Sequence, residues 1–174
     1  MEIATERLYL RPFEKRDAED LYAYLSDPEV VRFEPYAPYT RAMCDEEAAN
    51  RAENPNFIAV EWQGHVIGNI WLGRADAYTF EIGWVFNRMY QGNGYAAEAA
   101  RAVIGQAFST QGAHRVIALC DPHNAPSCRL CVRLGMRREA HMKKNVFFFR
   151  DEKGCPIWKD TIQYAVLDEE WNEK

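Results

Sequence analysis

The sequence predicts an α/β (α+β) fold in which a mixed, mostly antiparallel sheet carries helices on both faces. Segments with alternating apolar and polar side chains are interspersed with segments whose apolar residues recur every three to four positions. Turn residues between three consecutive strand segments indicate an antiparallel meander. Only the stretch from Thr79 to Cys120, which reads strand, loop, helix, strand, suggests a parallel crossover.

Length and composition predict a single domain spanning residues 1–174. The chain has 48% hydrophobic and 13% aromatic residues, enough for one sizeable core. A formal net charge of −5 without a Lys/Arg-rich run disfavours nucleic-acid partners and suits cationic ones. No apolar run approaches the roughly 18 residues of a membrane span, so no membrane partner is expected. With five cysteines, an odd number, the chain is expected to be cytoplasmic.

In the N-terminal part, periodicity defines a strand and two helices. Residues 7–13 alternate in the manner of a strand, and residues 17–26 have helical spacing up to Asp27 and Pro28. Residues 32–40 are aromatic and interrupted by prolines, which predicts an irregular loop of the kind that lines ligand pockets. An alanine-rich helix is then expected over residues 43–54.

The remaining elements follow in order along the chain. The meander strands are predicted at residues 57–62, 65–72 and 79–86, with a tight turn at Gly64. A glycine-rich loop precedes a helix over residues 95–111, which Gly112 ends. A short, continuously apolar strand is expected at residues 115–120, followed by a helix over residues 124–134. Residues 136–149 and 157–167 are predicted to form a final hairpin.

The loop Gln91-Gly92-Asn93-Gly94-Tyr95-Ala96 lies between a predicted strand and a predicted helix. Glycines allow a tight turn and close approach of a ligand, and the N-terminus of a helix attracts anions. The pattern therefore predicts a phosphate-binding loop. It lacks the Lys-Ser/Thr of a Walker loop and the spacing of a dinucleotide fingerprint. The alternative is a simple turn before the helix.

The same loop resembles the Q/R-x-x-G-x-G/A motif of the GNAT acetyltransferases. The segments TERLYLRPFEKRDAEDLYAYLSDPEVVRF, FEIGWVF, DPHNAPSCRLCVRLGMRREA and KDTIQYAVLDEEW also resemble the RimJ/RimL-like branch, in the family's order, over essentially the whole chain. The resemblance implies the GNAT acyl-CoA N-acyltransferase fold, with a sheet splayed between the strands at 79–86 and 115–120. It also implies transfer of an acetyl group from acetyl-CoA to an amine.

By this resemblance, cofactor-binding roles fall on the glycine loop and on the splayed strands. Val85 and nearby backbone would hold the pantetheine arm of coenzyme A. The amides of the loop would hold its pyrophosphate, and the residues concerned are Gln91, Gly92, Asn93, Gly94, Tyr95 and Ala96.

Asn124, Ser127 and Cys131 are spaced three and seven apart, so one helical face presents them in a row. The resemblance implies that Asn124 helps to hold the pantetheine arm or an ordered water. It implies that Ser127 is the proton donor to the leaving thiolate, because Cys131 stands where many GNAT enzymes carry a tyrosine acid. The alternative is that Asn124 caps the helix and Ser127 satisfies first-turn amides.

Glu81 shares a strand face with Thr79, Gly83 and Val85 because side chains alternate along a strand. A carboxylate beside a bare glycine suits the wall of a ligand cleft. The resemblance implies that Glu81 is the general base, acting through water, because only a neutral amine attacks a thioester. A solvent-facing glutamate is the alternative interpretation.

The acceptor pocket is expected at the irregular loop, where Phe33, Glu34, Tyr36 and Tyr39 combine acid with aromatic rings. Phe147 and Phe149 of the final hairpin are expected nearby. Plain core packing of these aromatic residues is the alternative. The acceptor is predicted to be a peptide N-terminus or a small cationic amine, and family habit makes a homodimer plausible.

No metal is expected, although Cys120, His123, Cys128 and Cys131 have the short spacings of a zinc knuckle. Cys120 and Cys131 follow the apolar pattern of core residues, which favours packing over metal binding. A catalytically weak acetyl-CoA-binding sensor or scaffold is the alternative to an enzyme.

Overall fold

The computed structural model describes residues 1–172, which contain eight strands and five α-helices. The strands are β1 (Ile3–Ala4), β2 (Tyr9–Pro12), β3 (Phe57–Trp62), β4 (His65–Arg74), β5 (Thr79–Phe86), β6 (Arg115–Cys120), β7 (Arg137–Arg150) and β8 (Pro156–Leu167). The helices are α1 (Ala18–Leu25), α2 (Arg41–Glu53), α3 (Tyr95–Thr110), α4 (Ala125–Arg133) and α5 (Asp168–Asn172).

The strands form one sheet in the order β1-β2-β3-β4-β5-β6-β8-β7. Strands β5 and β6 run parallel, and the other neighbouring pairs are antiparallel. The predicted α/β class and the single parallel crossover are therefore confirmed. The crossover contains α3, which supplies the length that a parallel connection needs.

The predicted element bounds agree with the structure to within about two residues, and β5 and β6 agree at both ends. Strand β1 was not predicted, because two residues are too short to show a period. The final hairpin is irregular in pairing, with register shifts such as that between Met142 and Val146. Its strands nevertheless lie where alternation predicted them.

Two apolar clusters occupy the two faces of the sheet. Phe80 and Ile82 of β5 belong to the cluster that contains the buried face of α3. Val85, on the opposite face of the same strand, belongs to the cluster that contains Leu21 of α1 and Ala48 of α2. Helices thus cover both faces, as predicted. By strand alternation, Glu81 lies on the face of α1 and α2.

Strands β5 and β6 pair only at their first residues and then diverge. The paired positions are Thr79 with Arg115, Phe80 with Val116, and Glu81 with Ile117. Beyond them each strand continues to pair with its other neighbour, through Phe86 with β4 and through Cys120 with β8. The sheet is therefore open along the edges that β5 and β6 turn toward each other.

Helix length and hydropathy exclude a membrane-spanning helix among residues 1–172.

Candidate active site

The opening between β5 and β6 contains a small cavity of about 100 Å³. It adjoins a cleft of about 640 Å³ at the N-terminal ends of α3 and α4. Five residues line both spaces, so the cleft and the opening are continuous. They are Phe33, Glu34, Trp84, Asn124 and Ser127.

The glycine loop forms one wall of the cleft. Gly92 and Gly94 have positive φ values of 81° and 84°, and Gly94 is the N-cap of α3. A Cβ atom built on Gly92 would meet no atom within 4 Å, so the space beside this backbone is open. An open loop at the N-terminus of a 16-residue helix has the geometry that phosphate groups require.

Most of the predicted cofactor-binding residues reach the cleft. Val85, Gln91, Gly92, Gly94, Tyr95 and Ala96 line it. Asn93 is not among the lining residues of the described chain; its side-chain amide donates to the Tyr90 carbonyl oxygen at 3.1 Å. The Asn93 carbonyl accepts from Nη1 of Arg7 at 3.0 Å. The side chain of Asn93 therefore shapes the loop.

Arginines line the opposite wall of the cleft and were not singled out from the sequence. Arg129 and Arg133 lie one turn apart on α4, and Arg88 lies beside the glycine loop. Within residues 1–172, neither Arg129 nor Arg133 has an ion pair with a carboxylate, whereas Arg88 lies 3.8 Å from Asp27. Although the chain carries a net charge of −5, this cleft is locally basic and suits a polyanionic ligand.

Asn124 caps α4, as the alternative interpretation held, and it also lies at the cleft. Its Oδ1 accepts a hydrogen bond from the Ser127 backbone N–H at 3.2 Å and so caps α4. It also lines both spaces. The capping interaction fixes the first turn of α4 and therefore the direction in which Ser127 points.

The Ser127 hydroxyl is held between two side chains. The Trp84 indole Nε1 donates to Ser127 Oγ at 3.2 Å, and Cys120 Sγ lies 3.2 Å from the same oxygen. Cys131 Sγ lies 3.6 Å from Cys120 Sγ, and this contact, ahead of the one with Ser127, lowers the pKa of Cys120. Trp84 and Cys120 lie on the diverging strands, and no local sequence pattern indicates that they contact Ser127.

Glu81 lies at the last paired position of β5 and β6, where the opening begins. Burial raises the pKa of its carboxyl above the ordinary value. Within the described residues, Glu81 does not line either the small cavity or the cleft.

The loop between α1 and α2 places Phe33 and Glu34 in both spaces. Tyr36 and Tyr39 pack edge to face on each other, with ring centroids 5.1 Å apart, against the cluster beneath α1 and α2. These two tyrosines are therefore at least partly packing residues, as the alternative interpretation held. Phe147 and Phe149 are exposed on the final hairpin, and Phe147 packs edge to face on Trp158. Lys159, from β8, reaches toward Phe33 instead, with Nζ 5.5 Å from the ring centroid.

The cysteine and histidine cluster does not have the geometry of a zinc knuckle. His123 is exposed and its Nδ1 lies 3.0 Å from Oδ1 of Asp121. In the part of the chain that the structure describes, no three His, Cys, Asp or Glu side chains are placed to hold a metal ion. Cys120 and Cys131 are buried in the core, as the apolar pattern predicted.

Comparisons with known proteins agree with this geometry. The acetyltransferase (GNAT) domain profile matches residues 7–137. The uncharacterized N-acetyltransferase YnaD of Bacillus subtilis (strain 168) is 38% identical over 179 residues, covering 99% of this chain and 100% of that protein. The ribosomal protein uS5-alanine N-acetyltransferase of Escherichia coli (strain K12) is 30% identical over 98 residues, covering 56% of this chain and 47% of that protein.

A solved structure shows the same architecture over the whole chain. The acetyltransferase (GNAT family) from Bacillus anthracis superimposes with a TM-score of 0.90 at 35% sequence identity, covering 98% of this chain and 100% of that one. Profile, relatives and fold all indicate the same family. The chain therefore belongs to the GNAT family and is an acetyltransferase.

Proposed function

We propose that this enzyme transfers the acetyl group of acetyl-CoA to a primary amine by direct attack in a ternary complex. The observation that carries the proposal is the continuity of two unlike spaces. The cleft is walled by a glycine loop and arginines, and it opens between β5 and β6 onto the acidic, aromatic loop at Phe33 and Glu34. An anionic donor can enter from one side and a cationic acceptor from the other.

The residues of the cleft fit acetyl-CoA, which supplies an activated acetyl thioester. The open backbone of the glycine loop would receive the pyrophosphate, with Arg129 and Arg133 opposite. The pantetheine arm would lie along the free edge of β5 near Val85, with Asn124 across the opening. Unpaired amides on that edge would stabilise the oxyanion.

Two residues are proposed to carry the proton transfers, and a third positions one of them. Glu81 acts as general base through water, which agrees with its position just outside the cavity lining. Ser127 protonates the leaving thiolate, and its hydroxyl is aimed by Trp84 and Cys120. Asn124 holds the first turn of α4 in place.

The acceptor is proposed to be a protein N-terminal α-amine or a small amine, in line with the RimJ/RimL-like branch. The support is the match over about half of this chain to the Escherichia coli enzyme whose name gives an alanine of ribosomal protein uS5 as its acceptor. An α-amine with pKa near 7.8 is neutral about one time in ten at pH 7, so it needs only a weak base. A cytoplasmic location and a homodimer remain predictions; light scattering of the purified protein tests the second.

Thiol release from acetyl-CoA tests the proposal. The panel consists of a peptide that starts with alanine, the same peptide with a blocked N-terminus, a polyamine and an aminoglycoside. We expect amine-dependent thiol release with at least one acceptor, and a mass increase of one acetyl group on that acceptor. Binding of acetyl-CoA without release on any acceptor would instead favour the sensor or scaffold alternative.

A further inference from the structure

Glu34 lies where the cleft and the small cavity join, although its sequence context indicates only an irregular loop. Glu34 is largely buried and lines both the cleft and the small cavity. Its backbone N–H donates to the Val31 carbonyl oxygen at 2.9 Å, which fixes this turn of the loop. Within residues 1–172, no other aspartate or glutamate lines both spaces.

The groups that face Glu34 come from its own loop, from α2 and from β8. Tyr36 donates a hydrogen bond to its carboxyl, and the cations of Arg51 and Lys159 act on it from a distance. Each cation has a closer partner: Arg51 Nε lies 2.7 Å from Glu47, and Lys159 Nζ lies 3.0 Å from Asp121. In residues 1–172, Glu34 itself forms no ion pair within 4 Å. Burial therefore prevails, and it raises the pKa of Glu34 to about 7.

We propose that Glu34 is a catalytic residue that takes the first proton directly from the incoming ammonium group. The inference rests on the proposed amine acetylation. It follows from position: Glu34 lines both the cleft and the small cavity, whereas Glu81, at the last paired position of β5 and β6, lines neither. A group that is half ionised near neutral pH is also suited to accept and return a proton.

The reaction releases two protons from the amine, and Glu34 and Glu81 each accept one of them. The amine gives its first proton to a carboxylate oxygen of Glu34, and the freed lone pair forms the C–N bond to the acetyl carbonyl carbon. The second proton leaves nitrogen through water toward Glu81 as the C–S bond breaks and its electron pair passes to sulfur. The sulfur takes a proton from Ser127, which the water chain restores. Glu34 returns its proton to solvent, so the products are the N-acetyl amine, the free thiol and one proton.

The experiment compares pH–rate profiles of the wild type and Glu34→Gln with the best acceptor of the panel. Without Glu34, only amine molecules that are already neutral can react. We therefore expect kcat/KM of the wild type to exceed that of Glu34→Gln by about a hundredfold below about pH 7. Above that pH the ratio of the two kcat/KM values should fall about tenfold per pH unit. The carboxylate is already ionised there, while the neutral amine becomes more abundant. The reduction in Glu34→Gln must also appear in kcat at saturating amine, because a residue that only binds the cation would change KM alone.

Two matched variants serve as controls. Glu46→Gln makes the same chemical change at an exposed position of α2, and its rates should equal those of the wild type at every pH. Tyr36→Phe keeps the ring but removes a donor that stabilises the carboxylate, so it should move the break in the wild-type profile to higher pH. This second variant carries the test if Glu34→Gln does not fold.

The results separate the inference from the function on which it rests. Absence of turnover by the wild type on the whole panel would count against the proposed function itself. Turnover with a Glu34→Gln loss that is confined to KM, or a break near pH 7 that stays fixed in Tyr36→Phe, would overturn the role of Glu34 and leave amine acetylation intact.

Discussion

At the scale of single residues, the environment decides what each polar side chain of the site can do. Glu34 and Glu81 both have raised pKa values because of burial, yet only Glu34 lines the two spaces. Ser127 is an ordinary first-turn residue until Trp84 and Cys120 fix its hydroxyl. Residue type therefore indicates which side chains are candidates, and their positions in the fold indicate which role each can have.

Replacing Ser127 by alanine removes the hydroxyl but leaves the helix cap, since the cap uses the Ser127 backbone N–H. We expect kcat to fall by about a hundredfold, the lower end of the range for general acid–base groups, with little change in the KM for acetyl-CoA. Steady-state kinetics measures both values. Ser109→Ala, at an exposed position on α3, is the control. An unchanged kcat in Ser127→Ala would remove Ser127 as proton donor.

The raised pKa of Glu34 also predicts how the free energy of unfolding depends on pH. Its carboxyl has a pKa of about 7 in the folded state, above the ordinary value of 4.5. The folded state therefore holds the proton more tightly, and stability is lost as pH rises from about 4.5 through 7. Glu34→Gln removes this loss, so the variant should gain up to about 3 kcal/mol over the wild type at pH 8 and little at pH 4.5. Urea unfolding at both values measures the difference; equal gains at both would contradict the assignment.

At the scale of elements, the site is formed by the ends of helices and the loops that adjoin them. The glycine loop precedes the N-terminus of α3, Asn124 precedes that of α4, and the loop after α1 supplies Phe33 and Glu34. Ends of helices leave backbone groups without intrahelical partners, which makes them available to a ligand. The proposed binding groups therefore lie in short segments such as QGNGYA and not in the middle of the helices.

Gly92 and Gly112 offer a matched pair for testing the glycine loop. Both have positive φ, 81° and 70°, and neither has an atom within 4 Å of an added Cβ. Alanine at either position should cost about 1 kcal/mol of stability, because L-residues disfavour the left-handed region. Only Gly92 lines the cleft, so only Gly92→Ala should raise the KM for acetyl-CoA, by tenfold or more for about 1.4 kcal/mol of lost binding. Equal KM values in the two variants would refute the pyrophosphate assignment.

At the scale of the whole molecule, the open sheet joins two apolar clusters across one ligand site. The cluster under α3 and the cluster under α1 and α2 meet at β5, whose free edge faces the opening. A ligand that lies along this edge would replace the partner that β6 stops supplying after Ile117. Ligand binding should therefore stabilise the fold as a whole.

Coenzyme A at about a hundred times its Kd should add about 2.7 kcal/mol to the free energy of unfolding. For a chain of this size that corresponds to a rise in Tm of roughly 5–10 °C. Thermal unfolding monitored by circular dichroism measures the rise. Gly92→Ala, at the same ligand concentration, should show a smaller rise, while Gly112→Ala should match the wild type. A Tm that does not change with coenzyme A would contradict the assignment of the cleft.

The sequence by itself determined the order of elements, the mixed sheet with one parallel crossover, and the glycine loop before α3. These features are local: alternation, helical spacing and positive-φ glycines are written in consecutive residues. The strand β1 escaped detection because two residues show no period.

Only the tertiary structure decided which side chains share the site. The arginines of α4 and the glycine loop lie more than thirty residues apart in sequence and are brought to opposite walls of one cleft. Trp84, Cys120 and Ser127 meet only because β5 and β6 diverge beside α4. Glu34 lines both spaces and Glu81 neither, because the loop that carries Glu34 packs against α1 and α2 beside the opening. Local periodicity carries no information on such long-range distances, which burial and sheet geometry fix together.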